Sequence, residues 1–366
     1  MRVVLAPDSF KGSVTARDAA EALAEGWRAV RPRDELVELP LADGGEGTVA
    51  VLASASPTAV WHPQPVSGPD GRTVEAGWLL RPDGTAVVEL AMAAGPQHLR
   101  APDPLGASTF GVGELLRSAA EHPGTGRILV ALGGSASTDG GVGALAALGA
   151  ELLDRRGRLL PADGGSLQHL SVVLPPTVAP PPGGVTCLVD VTAPLLGPLG
   201  AAAQFGPQKG ATGDDVAHLE RGLTRLAGVL GTNPERAGSG AAGGTAYGLS
   251  ALWSATIVPG APVIATAAGL PDAIGRADLV VTGEGRFDLQ SRQGKCVGHV
   301  LETARTAAVP VHLAVGELAA RPPAGVVATA ELTGLAGSAL AARTDARRWL
   351  VAAGRTLAAA ASGAGS

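Results

Sequence analysis

The first fifty residues alternate between short apolar runs and helical patterns, and this alternation constrains the fold more than any other feature. Arg2-Val3-Val4-Leu5-Ala6 is a short apolar run of the kind that becomes a buried strand. Thr15, with Asp18 three residues on, resembles a capping box and predicts a helix through Val30. Glu35 to Leu39 alternates as a second strand. Ala42-Asp43-Gly44-Gly45-Glu46-Gly47-Thr48 is a loop leading into another helix. Strand, loop, helix, strand, loop, helix is the pattern of a parallel sheet covered by helices.

From Trp61 the texture changes. Val74 to Leu80 and Thr85 to Leu90 flank the turn signal Arg81-Pro82-Asp83-Gly84 and predict a hairpin. A helix is expected over Gly113 to Glu121, a strand over Ile128 to Leu132, and a helix over Val142 to Leu153. The Pro-rich stretch Leu174 to Gly184 reads as a loop, and Val185 to Val189 as a strand ending at Asp190. Alternation resumes near Ala261, with strands at Asp278 to Thr282, Val309 to Val315 and Val326 to Ala330, and a helix from Lys295. At 366 residues the chain exceeds one typical core. The expectation is an α/β protein of two domains. A parallel-sheet, Rossmann-like domain is formed by residues 1–60 and 260–366. A mixed-sheet domain, residues 61–259, is inserted into it.

Aromatic residues make up only 3% of the chain, so the core must be built from Ala, Val and Leu. The formal charge of −5 argues against a nucleic-acid surface. Arg155-Arg156-Gly157-Arg158 is the one basic block and reads as a solvated turn. Cys187 and Cys296 make no disulfide framework, and the seven His lack paired metal-ligand spacing. No signal peptide is expected, because Asp8 follows only a few apolar residues. Ala237 to Pro271 carries no charge, but Pro259, Gly260 and Pro262 break any membrane-spanning helix, so a buried helix, a turn and a buried segment are expected.

Of 28 basic residues only three are Lys: Lys11, Lys209 and Lys295. Each lies in a Gly-rich string, Ser9-Phe10-Lys11-Gly12, Pro207-Gln208-Lys209-Gly210 or Gln293-Gly294-Lys295. A compact ammonium where backbone is most open suits phosphate or carboxylate; proximity by chance in a Gly-rich chain is the plainer reading of any one. Gly133-Gly134-Ser135-Ala136-Ser137-Thr138-Asp139-Gly140-Gly141 lies between a predicted strand and helix, where small residues and hydroxyls admit an anion. An ordinary strand-to-helix loop is the plain alternative, and Asp139 could orient Mg²⁺ or cap the helix. Gly238-Ser239-Gly240-Ala241-Ala242-Gly243 matches the dinucleotide spacing, but no strand precedes it; a tight helix entry is the simpler reading. Asp8, Asp43, Glu46, Asp139, Asp190, Glu284 and Asp288 all lie in loops beside Gly, Ser or Thr. With the three lysines they fit Mg²⁺-assisted phosphoryl transfer. Phe10, Phe205 and Phe287 sit in the same strings and read as loop anchors rather than base-stacking groups.

These strings together resemble the bacterial glycerate kinase family. The resemblance is carried by Ala6-Pro7-Asp8-Ser9-Phe10-Lys11-Gly12-Ser13, Asp43 to Thr48, Glu89-Leu90-Ala91, Gly133 to Ala136, Asp190-Val191-Thr192, Gly206 to Ala211, Gly238 to Gly244 and Thr282-Gly283-Glu284-Gly285-Arg286. It runs in order from residue 3 to about 300 and is looser after Val315. It implies two α/β domains, a cytoplasmic location, and ATP- and Mg²⁺-dependent phosphorylation of D-glycerate, with 2-phosphoglycerate as the product associated with the members most resembled. Two positions depart from the family pattern: Ser137-Thr138 replaces Thr-Asn, and Ala193 replaces the Asn after Asp-Val-Thr.

On this resemblance Asp8, Ser9, Lys11 and Arg286 are the candidates to hold glycerate. Gly133, Gly134, Ser135, Ser137 and Lys295 are the candidates for the ATP phosphates. Asp190 would orient the attacking hydroxyl, with Lys11 and Lys209 as catalytic cations. Asp43, Glu46, Asp139 and Glu284 are the candidate Mg²⁺ carboxylates. A homodimer is compatible with the sequence; nucleic-acid and membrane partners are not expected. Competing readings are another small hydroxy-acid or sugar kinase, an NAD-dependent dehydrogenase built on Gly238–Gly243, and a non-catalytic organic-acid sensor.

Overall fold

The computed structural model describes residues 1–291 and 295–363. The protein comprises two compact units: Met1–Asp43 with Ala50–Ala55 and Ala261–Ser366, and Gly44–Val49 with Ser56–Gly260.

The first unit is built on a five-stranded, wholly parallel sheet. Its spatial order is Val326–Glu331, Val311–Leu318, Leu279–Phe287, Arg2–Leu5, Glu35–Glu38. The apolar run at the N-terminus becomes a central strand because both of its faces are covered. Val3 and Leu5 join a core with Leu23, Trp27, Leu350 and Leu357 from the helices Ala16–Val30 and Ala346–Gly363. Val4 points the other way, into a core with Ile274 and Val300 from the helices Leu270–Ile274 and Cys296–Thr306. Thr15 caps the first helix as its spacing predicts, its hydroxyl accepting from Asp18 N at 3.1 Å, an interaction worth about 1 kcal/mol. The small-residue composition has a packing consequence here. At Gly26 a β-carbon would stand 2.0 Å from the Val351 carbonyl oxygen, so the two long helices can meet only over a glycine.

The second unit carries a six-stranded mixed sheet in the order Thr256–Pro259, Val185–Val189, Arg127–Ala131, Thr85–Glu89, Thr73–Leu80, Val60–Ser67. The first four strands are parallel to one another and the last two pair antiparallel. The predicted hairpin around Arg81–Gly84 is present. Val60–Ser67, for which no strand is expected from the sequence, carries Pro63 and Pro65, and both are tolerated because this is an edge strand. The helix expected over Val142 to Leu153 stops at Ala147. Gly149, at φ +97°, turns the chain, and Glu151–Leu153 becomes a strand paired antiparallel with Val172–Leu174. The main core of this unit gathers Trp78, Leu115, Ile128 and Trp253. The indole nitrogens of both tryptophans are satisfied, by Ser118 Oγ at 3.2 Å and by the Val178 carbonyl at 2.8 Å. Among the described residues no helix is long and apolar enough to cross a membrane. The uncharged stretch resolves into the helix Ala241–Leu252, the strand Thr256–Pro259 and the helix Gly260–Ala267.

Candidate active site

Open parallel sheets bind ligands beyond the carboxyl ends of their strands, at the point where strand order reverses. In the first unit that point lies between Arg2–Leu5 and Leu279–Phe287, since the chain steps from the former to Glu35–Glu38 on one side and later fills the other. Asp8 N bonds the Gly283 carbonyl at 2.8 Å across this crevice. A cavity of about 310 Å³ opens here, and all five strands supply its lining. Asp8, Ser9 and Lys11 follow the central strand, and Asp43 follows Glu35–Glu38. Glu284 and Arg286 end the Leu279–Phe287 strand. Glu317 ends Val311–Leu318, and Thr333 follows Val326–Glu331. Lys295 stands at the start of the helix Cys296–Thr306 and lines the same cavity; Gln293 and Gly294 of its string lie outside the described residues.

Charge is crowded here. Burial pushes the Asp8 carboxyl up to about 7, helped by the neighbouring Asp43 charge and opposed by the Ser9 N–H, which donates to Asp8 Oδ1 at 2.6 Å. Burial also raises Glu284 to about 7, opposed by hydrogen bonding with Ser291 and by the charge of Lys295. Among the described residues Glu284 Oε1 is buried without a hydrogen-bond partner. The exposed Lys11 Nζ lies 3.9 Å from the buried Asp43, and Arg286 lies 3.8 Å from Glu317 in a loose, exposed pair. Phe10 and Phe287 are buried in the cores beneath, which makes them anchors. Thus Asp8, Ser9, Lys11, Arg286, Lys295, Asp43 and Glu284, drawn from four separate sequence strings, converge on one cavity.

The remaining predicted residues lie in the second unit, again at carboxyl ends. Thr85–Glu89, Arg127–Ala131 and Val185–Val189 are adjacent and parallel, and they end at Glu89, at the Gly133 loop and at Asp190. Glu89 is buried, and its two oxygens accept from Gly47 N and Val49 N at 3.0 Å each. It thereby fastens the Gly44–Val49 segment to the sheet, with exposed Glu46 between. A β-carbon on Gly133 would stand 2.4 Å from Gly45 Cα, so the two Gly-rich strings touch through backbone alone.

Within the 133–141 loop the residues divide. Gly134 is exposed, and Gly133 and Ser135 are half-buried. Ser137 is fully buried, its hydroxyl 3.0 Å from that of Ser135, so it shapes the loop from inside. Asp139 is also fully buried and accepts four hydrogen bonds: from Thr109 N at 2.8 Å, Thr109 Oγ1 at 2.7 Å, Gly141 N at 3.0 Å and Gly143 N at 3.2 Å. Those bonds use the carboxylate's acceptor sites. Asp139 therefore joins the starts of the helices Phe110–Glu121 and Val142–Ala147, buried with both of its oxygens already engaged by the fold. Burial raises its proton affinity and the four donors oppose that. All four partners donate to it, the arrangement that suits the ionised form.

Lys209 Nζ donates to the Ser137 carbonyl and lies 3.4 Å from Thr138 Oγ1. Burial lowers its pKa to about 8. The dinucleotide-like string is explained by packing. Gly243 sits at φ +65°, and a β-carbon there would lie 2.2 Å from the Ser137 carbonyl oxygen; its own carbonyl accepts from Gly140 N at 2.9 Å. Ala242, at φ +50°, shares the left-handed turn. No strand leads into it, which removes the basis for a dinucleotide fold there. Among the described residues no group of three or more His, Cys, Asp or Glu is arranged to hold a metal ion. Two participants escaped the sequence reading. Thr109 carries no local signal, being 30 positions from the carboxylate it serves, and Arg343, which lines the first unit's cavity, lies in the tail where the strings fade.

The family model for the glycerate kinase family matches residues 3–362, so it extends through that tail. The chain is 39% identical over 323 residues to glycerate 2-kinase of Escherichia coli K12, covering 85% of this chain and 84% of the relative. It is 40% identical over 324 residues to glycerate kinase of Bacillus subtilis 168, covering 85% and 84%. A crystal structure of a protein assigned as glycerate kinase 2 from Salmonella typhimurium LT2 superposes with a TM-score of 0.82 at 34% identity, over 100% of this chain and 99% of that one. By sequence over nearly its whole length, and by fold, this chain belongs to the glycerate kinase family.

Proposed function

We propose that the protein transfers the γ-phosphoryl group of ATP to D-glycerate and releases 2-phosphoglycerate. The observation that carries this reading is the first unit's cavity, which gathers hydroxyl, ammonium and guanidinium groups beside buried carboxylates at a strand-order reversal. In this reading Ser9, Lys11 and Arg286 hold glycerate. The exposed part of the second unit's loop, Gly133 to Ser135, receives ATP phosphates, while Ser137 and Lys209 set the loop's shape. Lys295 supports the transferring group. The parallel-sheet unit and the mixed-sheet unit are the two domains of the enzyme.

Phosphoryl transfer asks little covalent chemistry of a protein, so positioning and charge carry the rate. Losing one cation aimed at the transferring oxygens costs about 3 kcal/mol, or roughly a hundredfold. Asp190, at its strand end, is assigned to orient the attacking hydroxyl. A second reading gives that task to Asp8, because its raised proton affinity suits a group that accepts a proton near neutral pH. The variants Asp8→Asn and Asp190→Asn separate the two: the one that holds the hydroxyl lowers kcat far more than it raises KM. Mg²⁺ fits the first unit's carboxylates, since Glu284 Oε1 is buried without a partner and Asp43 crowds Asp8. Mg²⁺ needs only one or two carboxylates when phosphates and water complete its shell. Asp43 and Glu284 are the residues that would hold it, and bound there it would neutralise charge on the phosphates. Asp139, buried and hydrogen-bonded by four donors, serves to position the loop.

The test is a coupled assay with purified protein, ATP, Mg²⁺ and D-glycerate. Enolase without phosphoglycerate mutase converts only the 2-phospho product to phosphoenolpyruvate. ADP release without phosphoenolpyruvate would assign the 3-phospho product. Binding of glycerate without ADP release would turn the reading to a sensor.

A further inference from the structure

We propose that Arg343 is the specificity-determining residue that reads the substrate's carboxylate, making the cavity selective for a hydroxy acid over an uncharged polyol of similar size. The inference rests on the functional reading above and assigns a role to a residue outside every recognised string. Arg343 stands in the last turn of the helix Ala339–Thr344 and lines the 310 Å³ cavity with Ser9, Lys11 and Arg286.

Charge bookkeeping leads to it. The cavity lining carries five carboxylates against four cations, so a cation not already facing one of those carboxylates is the one open to an incoming carboxylate. Three of the four cations already face a carboxylate: Lys11 faces Asp43, Arg286 faces Glu317, and Lys295 acts on Glu284 and Asp288. Arg343 makes no hydrogen bond or ion pair with any described residue. Arg347, four residues on, by contrast bonds Glu25 at 2.9 Å. Beside Arg343 the lining is apolar, from Leu332, Ala339, Ala342 and Ala346. A guanidinium offers two parallel N–H groups to one carboxylate, a geometry an ammonium cannot match.

The experiment compares steady-state kinetics of the wild type, Arg343→Gln and Arg343→Lys with D-glycerate and with glycerol as acceptors. Arg343→Gln is expected to raise KM for D-glycerate roughly ten- to a hundredfold, the range given by losing one charge-assisted pair. Its kcat and its KM for ATP stay near wild type, and its preference for D-glycerate over glycerol falls by the same factor. Arg343→Lys recovers part of the loss, since it restores the charge without the fork. An unchanged KM for D-glycerate overturns the inference, and so does a rise confined to KM for ATP, which would place phosphate at Arg343. A wild type that does not phosphorylate D-glycerate overturns the functional reading itself, and this inference with it.

Discussion

Replacing Asp139 tests whether one buried carboxylate organises the Gly-rich loop. In the structure Oδ2 accepts three of its hydrogen bonds and Oδ1 accepts one, from Gly141 N. Asparagine keeps the shape but has one carbonyl oxygen. Its best placement retains the three bonds at Oδ2 and turns its NH₂ toward Gly141 N–H. One charge-assisted bond is lost and two donors are left facing each other without water. The expected cost is about 2–4 kcal/mol. Asp139→Ala abandons four donors and should cost about 3–5 kcal/mol. Urea unfolding followed by tryptophan fluorescence measures both. The same variants should raise KM for ATP, because the helix starts that Asp139 joins frame the loop. An Asp139→Asn midpoint within about 0.5 kcal/mol of wild type would refute the reasoning. The carboxyl would then be neutral in the fold, and an amide would replace it at little cost.

Three further outcomes are expected. His312 is buried, its Nδ1 has no partner, and burial pushes its pKa down to about 4 from 6.5. A depressed histidine is neutral when folded and protonates when unfolded, so stability is full above pH 6.5 and declines as pH falls toward 4, by about 3 kcal/mol. Urea titrations at pH 7 and pH 4.5 should show this loss for the wild type and a smaller one for His312→Leu; equal slopes would remove His312 from the account. Lys11→Arg and Lys209→Arg should each lower kcat/KM at least roughly tenfold with melting preserved, since a planar fork does not replace a compact ammonium; near-wild-type turnover in both would end the case built on lysine retention. Gly243→Ala places a β-carbon on the Ser137 carbonyl at a left-handed φ and should destabilise by about 2–4 kcal/mol, read by thermal melting; an unchanged melt would mean the loop has room to shift.

The wholly parallel sheet was legible because its strands are covered on both faces, which forces continuous apolar runs such as Val3-Val4-Leu5. Thr15 and the Arg81–Gly84 turn announced themselves through local chemistry, since a cap or a turn involves residues a few positions apart. Motif strings placed Asp8, Lys11 and Asp43 in loops, and strand ends are where such loops collect; Glu284, also expected in a loop, lies instead within the strand Leu279–Phe287, because that strand runs on beside Val311–Leu318. Other features depend on contacts between distant residues. Whether Asp139 meets a metal or four hydrogen-bond donors depends on Thr109, and whether Gly238–Gly243 cradles a nucleotide or packs on backbone depends on Ser137. Pro63 and Pro65 break a central strand but not an edge one, and only the sheet order says which this is. By itself, then, the sequence determined the elements and the kinds of group near the site, because propensity, capping and hydrophobic period are local. The tertiary structure alone decided which polar groups are already satisfied and which, like Arg343 and Glu284 Oε1, have no hydrogen-bond partner among the described residues, because satisfaction is a property of neighbours brought together by folding.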